Sequence, residues 1–336
     1  MSGLTRLGLV VVGTVALAAT LVATPQPRAA WNLPTIAPAN SPWHTALLDM
    51  SAAIAKDTAG RVKITVFPGG KLGGEPSVVR SMRSGSFDIS LLMLTGLAQI
   101  DEGFNALGVP FFFKDDAEAK AVQDALTPML EKRIAANFHL LGWTNGGWVQ
   151  LFSKKPLKTL DDIKKANLWT SDGDVKMLQW YKANGFHPVA LDAKDVGSAL
   201  QIGTIDATPS PAYAASLLNM NTLAPNMLDV RIGPLLGAVV VTRKAWNAIS
   251  PEDQAKVAAA AKVFEQTTSV TIPAKEAGAV VEMGKRGLTV NKMAPKDSAD
   301  LYAQIDRLVQ SMRGDMVPAD MYDAAKAARD AYRSKK

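Results

Sequence analysis

Cysteine is absent from this chain of 336 residues, and its only histidines are His44, His139 and His187. Disulfide bonds and thiolate metal sites are therefore excluded. The histidines are too far apart in sequence to indicate a metal-binding helix, and there is no H-E-x-x-H motif. A surface position or a hydrogen-bonded core position is the simplest interpretation of each histidine. We therefore predict that the protein holds no metal and no cofactor.

Short motifs of catalysis are also missing. The chain contains neither the G-x-S-x-G turn of many hydrolases nor the G-x-G-x-x-G turn that binds dinucleotides. Lys71 is followed by Leu72 instead of the Ser or Thr of a phosphate-binding loop. Asp172-Gly173-Asp174 is similar to the start of a calcium loop, but the remaining ligand positions are not filled. We predict that the protein is not an enzyme.

The charge balance excludes another class of partner. The net charge is +6, of which Arg6 and Arg28 in the N-terminal leader contribute two, leaving +4 for the rest. A surplus this small does not indicate binding of nucleic acid.

The apolar share of 48% is ample for packed cores. The length predicts about two domains of roughly 150 residues each.

Residues 1–30 have the pattern of an export signal. Arg6 gives a positive start, Leu7 to Val22 form an apolar run, and Ala29 and Ala30 are small residues near a possible cleavage point. We predict export to the periplasm. An uncleaved membrane anchor is the alternative, although the apolar run is short for a full span of about 20 residues.

The stretch Arg61 to Leu92 predicts a complete strand, turn, helix and strand. Val62, Ile64 and Val66 alternate with polar residues, as in a strand with one buried face. Gly69, Gly70, Gly73 and Gly74 allow a sharp turn, and Pro76 suits the first helical position. The apolar return from Phe87 to Leu92 is typical of a strand buried in a parallel sheet.

The remainder of the chain repeats this alternation. Strands are predicted at residues 139–143 and 148–152, separated at Asn145-Gly146-Gly147 by a hinge or a hairpin turn. Further strands are predicted at residues 167–170, 187–190, 203–207, 227–232 and 235–242. Ser250 and Pro251 start a long helix that continues to about Gly284, with a kink expected at Pro273. The pattern predicts an α/β protein with parallel sheets.

Four segments carry a resemblance to a known family. Phe67 to Glu75 followed by Gly85 to Asp88, Gly142 to Lys154, Leu160 to Ser171, and Ser198 to Asp206 resemble motifs of the solute-binding proteins of tripartite ATP-independent periplasmic (TRAP) transporters, the DctP family. This resemblance implies a two-lobed periplasmic-binding-protein fold, each lobe a mainly parallel sheet flanked by helices, with a long bridging helix. It places one lobe at residues 31–146 plus 235–272 and the other at 147–234 plus 273–336.

The chain departs from the family where ligands are bound. The carboxylate-binding arginine of the family falls on Trp169, and a second basic position falls on Val149. The family's polar Q-E-N-P becomes Thr208 to Pro211, and two aromatic positions become Ala193 and Gly197. These exchanges remove charge and bulk, so we expect a wider and less positive cleft.

The predicted ligand is therefore a neutral or largely apolar organic molecule, of an aromatic or bulky kind. A buried carboxylate without a partner costs several kcal/mol, whereas a tryptophan face buries about 150–250 Å². The predicted binding residues combine aromatic, apolar and small polar side chains: Trp169, Trp148, Trp143, Met93, Thr95, Phe112, Gln150, Ser210 and Tyr213.

Other interpretations stay open at this point. An organic acid could bind through a relocated cation, for which the candidates are Lys71, Arg80, Arg83, Lys176 and Arg243. Trp143, Trp148, Met93 and Phe112 could instead be core residues. The resemblance implies delivery of the ligand to a permease of one small and one large membrane subunit by a monomeric protein. A periplasmic sensor or carrier of the same fold is the alternative function.

Overall fold

The computed structural model describes residues 29–335, so the predicted leader lies outside the described residues except for Ala29 and Ala30. Strands and helices alternate along the chain. The strands are β1 (Ala29–Pro34), β2 (Val62–Phe67), β3 (Ile89–Met93), β4 (Phe138–Ser153), β5 (Asn167–Ser171), β6 (His187–Leu191), β7 (Ala207–Pro211), β8 (Asn226–Thr242) and β9 (Thr289–Asn291). The helices are α1 (Pro42–Asp57), α2 (Glu75–Ser84), α3 (Leu94–Ile100), α4 (Asp116–Ile134), α5 (Leu160–Lys165), α6 (Val175–Ala183), α7 (Val196–Ile202), α8 (Ala212–Leu217), α9 (Met220–Leu223), α10 (Arg243–Asn247), α11 (Pro251–Lys285), α12 (Pro295–Gln310) and α13 (Ala319–Arg333).

The strands form two sheets of a two-lobed α/β fold. β1 and β2 pair in parallel, and the larger sheet has the order β3-β8-β4-β7-β5-β6 with β9 beside β8. β5 is parallel to β6 and β7, and β9 is parallel to β8. The two long strands are antiparallel to their neighbours: β8 to β3 and β4, and β4 to β7. Parallel strand pairs and antiparallel strand pairs are thus mixed, and the antiparallel strands run through the middle of the larger sheet.

The predicted unit from Arg61 to Leu92 is confirmed in its elements. β2 and α2 occupy the expected positions, and Gly85 ends α2 in the left-handed conformation with φ of 83°. β3 is buried along its whole length. Its partner, however, is β8 in antiparallel orientation, so the expected parallel pairing of this strand is wrong. Burial on both faces produces the same apolar run in either orientation.

Of the two alternatives predicted at Asn145-Gly146-Gly147, a hinge or a hairpin turn, the hairpin turn is absent, because β4 continues through these residues. Asn145 pairs with Leu236 and Trp148 pairs with Pro234, so two residues of β4 oppose one residue of β8. This is a β-bulge, which takes up an extra residue without reversing the chain. Likewise, the two strands predicted at 227–232 and 235–242 are the single strand β8.

The strand predicted at residues 203–207 lies four residues later. α7 ends at Gly203 with φ of 82°, and β7 begins at Ala207. β7 pairs with β4 along its full length but with β5 only at Ala207. Pro209 and Pro211 have no N–H group to donate, so β7 cannot complete a ladder on both sides. β5 and β7 consequently separate beyond Ala207.

The long helix α11 connects the packed regions. Ser250 caps it by accepting a hydrogen bond from the N–H of Asp253, and the helix continues through Pro273. It packs against α1, β4 and α8. Three apolar clusters form the core, and each contains one fully buried phenylalanine: Phe104, Phe264 and Phe152. Within residues 29–335 no helix combines the length and apolarity needed to cross a membrane.

Candidate ligand-binding cleft

Two neighbouring cavities share a wall made by β4, β5 and β7. Their volumes are about 220 and about 290 Å³, enough for a small organic molecule. We call them cavity A and cavity B, and together the cleft. Cavity A extends toward α6 and the chain after α12, whereas cavity B extends toward α2 and α7. Both are lined by Thr95, Val149, Trp169, Ser171, Pro209 and Leu235.

Trp169 lies where the two cavities meet. Its neighbours on β5, Leu168 and Thr170, are buried, whereas Trp169 is half-buried. The indole Nε1 donates a hydrogen bond to the carbonyl oxygen of Leu191, at 3.1 Å. The polar edge of the ring is thereby satisfied by β6, and the apolar ring surface lines the cleft.

Three other predicted residues also line the cleft. Met93 and Ser210 line cavity B, and Thr95 lines both cavities. The Ser210 hydroxyl is 3.1 Å from the carbonyl oxygen of Pro211. The positions that replace family residues are here too: Val149 lines both cavities, and Ala193 lines cavity B. Four of the nine predicted residues are thus brought together.

Trp143, Trp148 and Phe112 lie in the packed interior instead of on the cleft wall. The Nε1 of Trp143 donates to the Thr127 hydroxyl at 3.1 Å, and that of Trp148 donates to Asp116 at 2.9 Å. Both side chains are less than 10% exposed. The ring of Phe112 lies under the guanidinium of Arg329, 4.1 Å from its centroid. Each of the three rings therefore has its polar or cationic partner within the fold and none needs a ligand.

Gln150 and Tyr213 lie next to the cleft without lining it. Gln150 pairs with Ser210 across β4 and β7, and its Oε1 is buried with no hydrogen-bond partner among the described residues. The ring of Tyr213 packs against Trp43, with centroids 5.9 Å apart. Its backbone N–H donates to Glu276 at 2.7 Å. A strand places alternate residues on opposite faces, so Gln150 points away from the face of Val149.

The charged side chains that line the cleft are all acidic: Glu75, Asp172, Asp174 and Asp192. Within residues 29–335, no lysine, arginine or histidine lines either cavity. Of the predicted relocated cations, Lys71 and Arg80 are exposed. Arg83 donates to the Gln99 carbonyl, and Arg243 donates to the carbonyls of Ala135 and Phe138.

The sequence analysis missed Glu75, Asp174 and Tyr181. Glu75 accepts hydrogen bonds from the N–H groups of Met93 at 2.6 Å and Gly96 at 2.9 Å. Burial raises the pKa of Glu75 to about 7, against the opposing effect of these two donors. Asp174 and Tyr181 both line cavity A. Their spacing of seven residues is two helical turns, a signal that places them on one face of α6.

The walls of the cleft are in contact at its mouth. The Gln99 side chain, on α3, donates a hydrogen bond to the carbonyl oxygen of Gly173 at 2.9 Å. Beside it, Lys176 of α6 and Glu102 form an ion pair at 2.7 Å. Asp192 lies against Gly74, where an added β-carbon would be 3.1 Å from its carboxylate. The described conformation is therefore a closed one.

A family model of the bacterial extracellular solute-binding proteins, family 7 (DctP), matches residues 33–315. The chain belongs to this family. Among DctP relatives, the 2,3-diketo-L-gulonate-binding periplasmic protein YiaO of Escherichia coli K12 is 25% identical over 294 residues, which cover 79% of this chain and 88% of YiaO. The C4-dicarboxylate-binding protein DctB of Bacillus subtilis 168 is 25% identical over 221 residues, 63% of this chain and 61% of DctB.

Solved structures of TRAP periplasmic solute-binding proteins have the same fold. One from Xanthobacter autotrophicus Py2, with bound β-D-galacturonate, has a TM-score of 0.82 at 20% identity and covers 89% of this chain and 99% of its own. One from Desulfovibrio salexigens, with bound orotic acid, has a TM-score of 0.83 at 16% identity, covering 91% and 99%. The predicted DctP family and two-lobed α/β fold are thus confirmed. DctP proteins are extracytoplasmic components of TRAP transport that bind small molecules.

Proposed function

We propose that this protein captures a neutral or largely apolar organic molecule in the cleft and delivers it to a TRAP permease. The observation that carries the ligand class is Trp169: an indole lines both cavities at the position where the family resemblance places an arginine. The lining residues between 29 and 335 supply no cation in its place.

The energies favour an apolar body over a carboxylate in such a cleft. A charge-assisted hydrogen bond contributes about 1.5–3 kcal/mol, and a buried carboxylate that lacks one costs several kcal/mol. A ligand that stacks on the Trp169 ring buries about 150–250 Å² of apolar surface. At about 25 cal/mol per Å², this burial offsets part of the entropy that the ligand and the cleft lose on binding. The carboxylates of Asp172, Asp174 and Asp192 in the lining add repulsion against an anion.

An organic acid is the second candidate, and the named relatives favour it. YiaO is named for 2,3-diketo-L-gulonate and DctB for C4-dicarboxylates, and the Xanthobacter protein holds β-D-galacturonate. In this chain an organic acid would need a lysine or arginine side chain that does not line the cleft in the described conformation. Lys176 lies on α6 between Asp174 and Met177, which line cavity A, but its ammonium group is bound to Glu102 and to the Asp315 carbonyl.

Delivery completes the proposed function. Residues 1–30 direct export to the periplasm, where the monomer closes on its ligand and then binds the small and large membrane subunits of the permease. With lobe boundaries predicted at residues 146–147, 234–235 and 272–273, the proposed hinge lies near the bulge of β4. No catalytic step is involved. A sensor or carrier without a permease is the alternative, and adjacent genes for two membrane subunits would argue against it.

Native mass spectrometry and thermal shifts test the ligand class. We expect freshly purified protein to carry a neutral or largely apolar molecule, and neutral aromatic probes to raise Tm more than D-galacturonate does. Trp169→Ala should abolish that shift, whereas Trp246→Phe, a core change outside the cleft, should preserve it. A Tm raised only by carboxylates would refute the ligand class and leave solute capture standing. If neither method detects a bound ligand, that result contradicts solute capture itself.

A further inference from the structure

Cavity A ends at a half-buried carboxylate beside two aromatic rings. Asp174 lines it together with Trp169 and Tyr181, and Met177 belongs to the same wall. We infer that the ligand is an organic amine, an inference that rests on the proposed solute capture. The ammonium group of the amine binds Asp174, and its apolar body packs on Trp169. This ligand class differs from that of the acid-binding relatives in the sign of its charge.

The position of the Asp174 carboxylate is fixed by the start of α6. Its Oδ1 accepts a hydrogen bond from the N–H of Met177 at 3.0 Å, as a helix-capping aspartate does. The other oxygen, Oδ2, has no hydrogen-bond partner among the described residues. One side of the carboxylate is therefore held by the backbone, and the other remains available to a ligand donor.

Asp174 also forms no direct ion pair within the described part of the chain. Lys176 lies two residues away, and its charge lowers the pKa of Asp174, but its ammonium group is paired with Glu102 at 2.7 Å and donates to the Asp315 carbonyl at 2.7 Å. Burial raises the pKa of Asp174, which reflects the cost of holding its charge away from water. A ligand cation at this point would remove that cost, while a ligand anion would increase it.

Tyr181 makes the same end of the cavity suitable for an ammonium group. Its ring is fixed by Trp180 at 5.6 Å and Phe186 at 5.2 Å between centroids. Burial raises the pKa of Tyr181 to about 12, with the nearby Asp174 charge adding to the effect, so the phenol stays neutral. An ammonium group beside aromatic rings and a carboxylate gains both cation–π and ionic attraction.

The remaining wall of cavity A fits a hydrocarbon body. Met177, Met312 and Met316 line it, and methionine side chains adapt to apolar groups of different shapes. Three further carboxylates, Glu75, Asp172 and Asp192, line cavity B. Asp192 has a lysine partner, Lys194, at 3.4 Å. The cleft as a whole thus presents a negative charge at several points around an apolar surface.

Matched probes test this inference on the mature full chain by calorimetry. 2-Phenylethylamine, 2-phenylethanol and phenylacetate share one aromatic body, and hexylamine, hexanol and hexanoate share one aliphatic body. We expect an amine of at least one series to bind at least about tenfold more tightly than its alcohol. Asp174→Asn should remove this preference and keep the helix cap, because asparagine caps helices as well as aspartate. Asp161→Asn, the same charge change on α5 outside the cleft, should preserve it.

The outcomes separate this inference from the proposed function. Equal binding of amine and alcohol, or an amine preference that persists in Asp174→Asn, would overturn the ammonium site while leaving an apolar ligand standing. No response to either amine would also overturn it. Binding of the carboxylates alone would contradict both the ammonium site and the apolar ligand class.

Discussion

Gly173 lies so close to Pro76 that a β-carbon built on the glycine would be 2.1 Å from Cγ of the proline. Gly173 belongs to the turn before α6, and Pro76 is in the first turn of α2, on the other side of the cleft. Real β-carbons do not approach other atoms this closely. The closed conformation therefore requires a residue without a side chain at position 173.

Substitution Gly173→Ala should hold the cleft open. The added methyl group and Pro76 cannot both keep their positions when the walls meet, so the closed population falls. If it falls to a tenth, the apparent Kd of any ligand bound by the closed form rises about tenfold. Small-angle X-ray scattering should give a larger radius of gyration for the variant, and calorimetry should give the weaker affinity.

Gly278→Ala is the matched control for this change. Gly278 lies within α11, and a β-carbon built there meets nothing within 4 Å. Alanine in a helix interior is favoured over glycine by about 0.5–1 kcal/mol, so this variant should be slightly more stable and bind normally. A Gly173→Ala protein with the radius and affinity of the parent would mean that closure does not bring these walls together.

Trp169→Arg should convert the cleft toward carboxylate binding. The guanidinium would stand where the family resemblance places its carboxylate-binding arginine, with the acidic lining to balance its charge. We expect D-galacturonate to raise Tm in the variant but not in the parent, by an amount equivalent to at least tenfold in Kd. Differential scanning fluorimetry over a galacturonate series measures this.

Trp169→Lys separates charge from geometry in that experiment. Lysine supplies a point charge without the bidentate fork of arginine, so its galacturonate shift should be smaller. A parent protein that responds to galacturonate as strongly as Trp169→Arg would show that a cation from outside the described lining already serves the carboxylate.

Local patterns predicted α2, α11 and most strands, because each carries its own signal in the sequence. Ser41 with Pro42 and Ser250 with Pro251 start α1 and α11 as their capping chemistry requires. The parallel or antiparallel pairing of β3 could not be predicted, since a strand buried on both faces has the same apolar run either way. The bulge in β4 likewise needs its partner β8, because Asn-Gly-Gly alone is equally typical of a turn.

Cleft-lining residues could be predicted only where the position in a strand decides which face of the sheet a side chain lies on. Trp169 and Ser210 came from motif alignment and line the cleft. Trp143 and Trp148 have buried polar partners, Thr127 and Asp116, that are distant in sequence and cannot be inferred from their own strand. Asp174 was compared with a calcium loop and was not predicted to line a cavity, although it caps α6 at the cavity wall.

Gly147→Ala should destabilise the bulge of β4. Gly147 has φ of 95°, and an added β-carbon would be 2.5 Å from the carboxyl carbon of Glu276. Positive φ alone costs an alanine about 1–2 kcal/mol. Gly185→Ala is the control, because Gly185 has φ of 79° and open space around it. Urea denaturation should therefore give a larger decrease in the free energy of unfolding for Gly147→Ala than for Gly185→Ala. Equal decreases would mean that Glu276 moves aside without cost.

Glu75 should make the stability of the protein depend on pH in an unusual direction. Burial raises the pKa of Glu75 from 4.5 to about 7, so the folded state binds a proton more tightly than the unfolded chain does. The stability from this group is fully present below about pH 4.5 and is lost as pH rises through about 7. The free energy of unfolding should fall by up to about 3 kcal/mol across that window.

Subtracting the variant Glu75→Gln isolates this effect, because the other carboxyl groups titrate equally in both proteins. Urea denaturation at several pH values between about 4.5 and 8 should give a parent-minus-variant difference that decreases with pH. Glu131→Gln, an exposed change on α4, should give a flat difference. A difference that instead grows with pH would mean that the N–H groups of Met93 and Gly96 stabilise the Glu75 carboxylate by more than its burial costs.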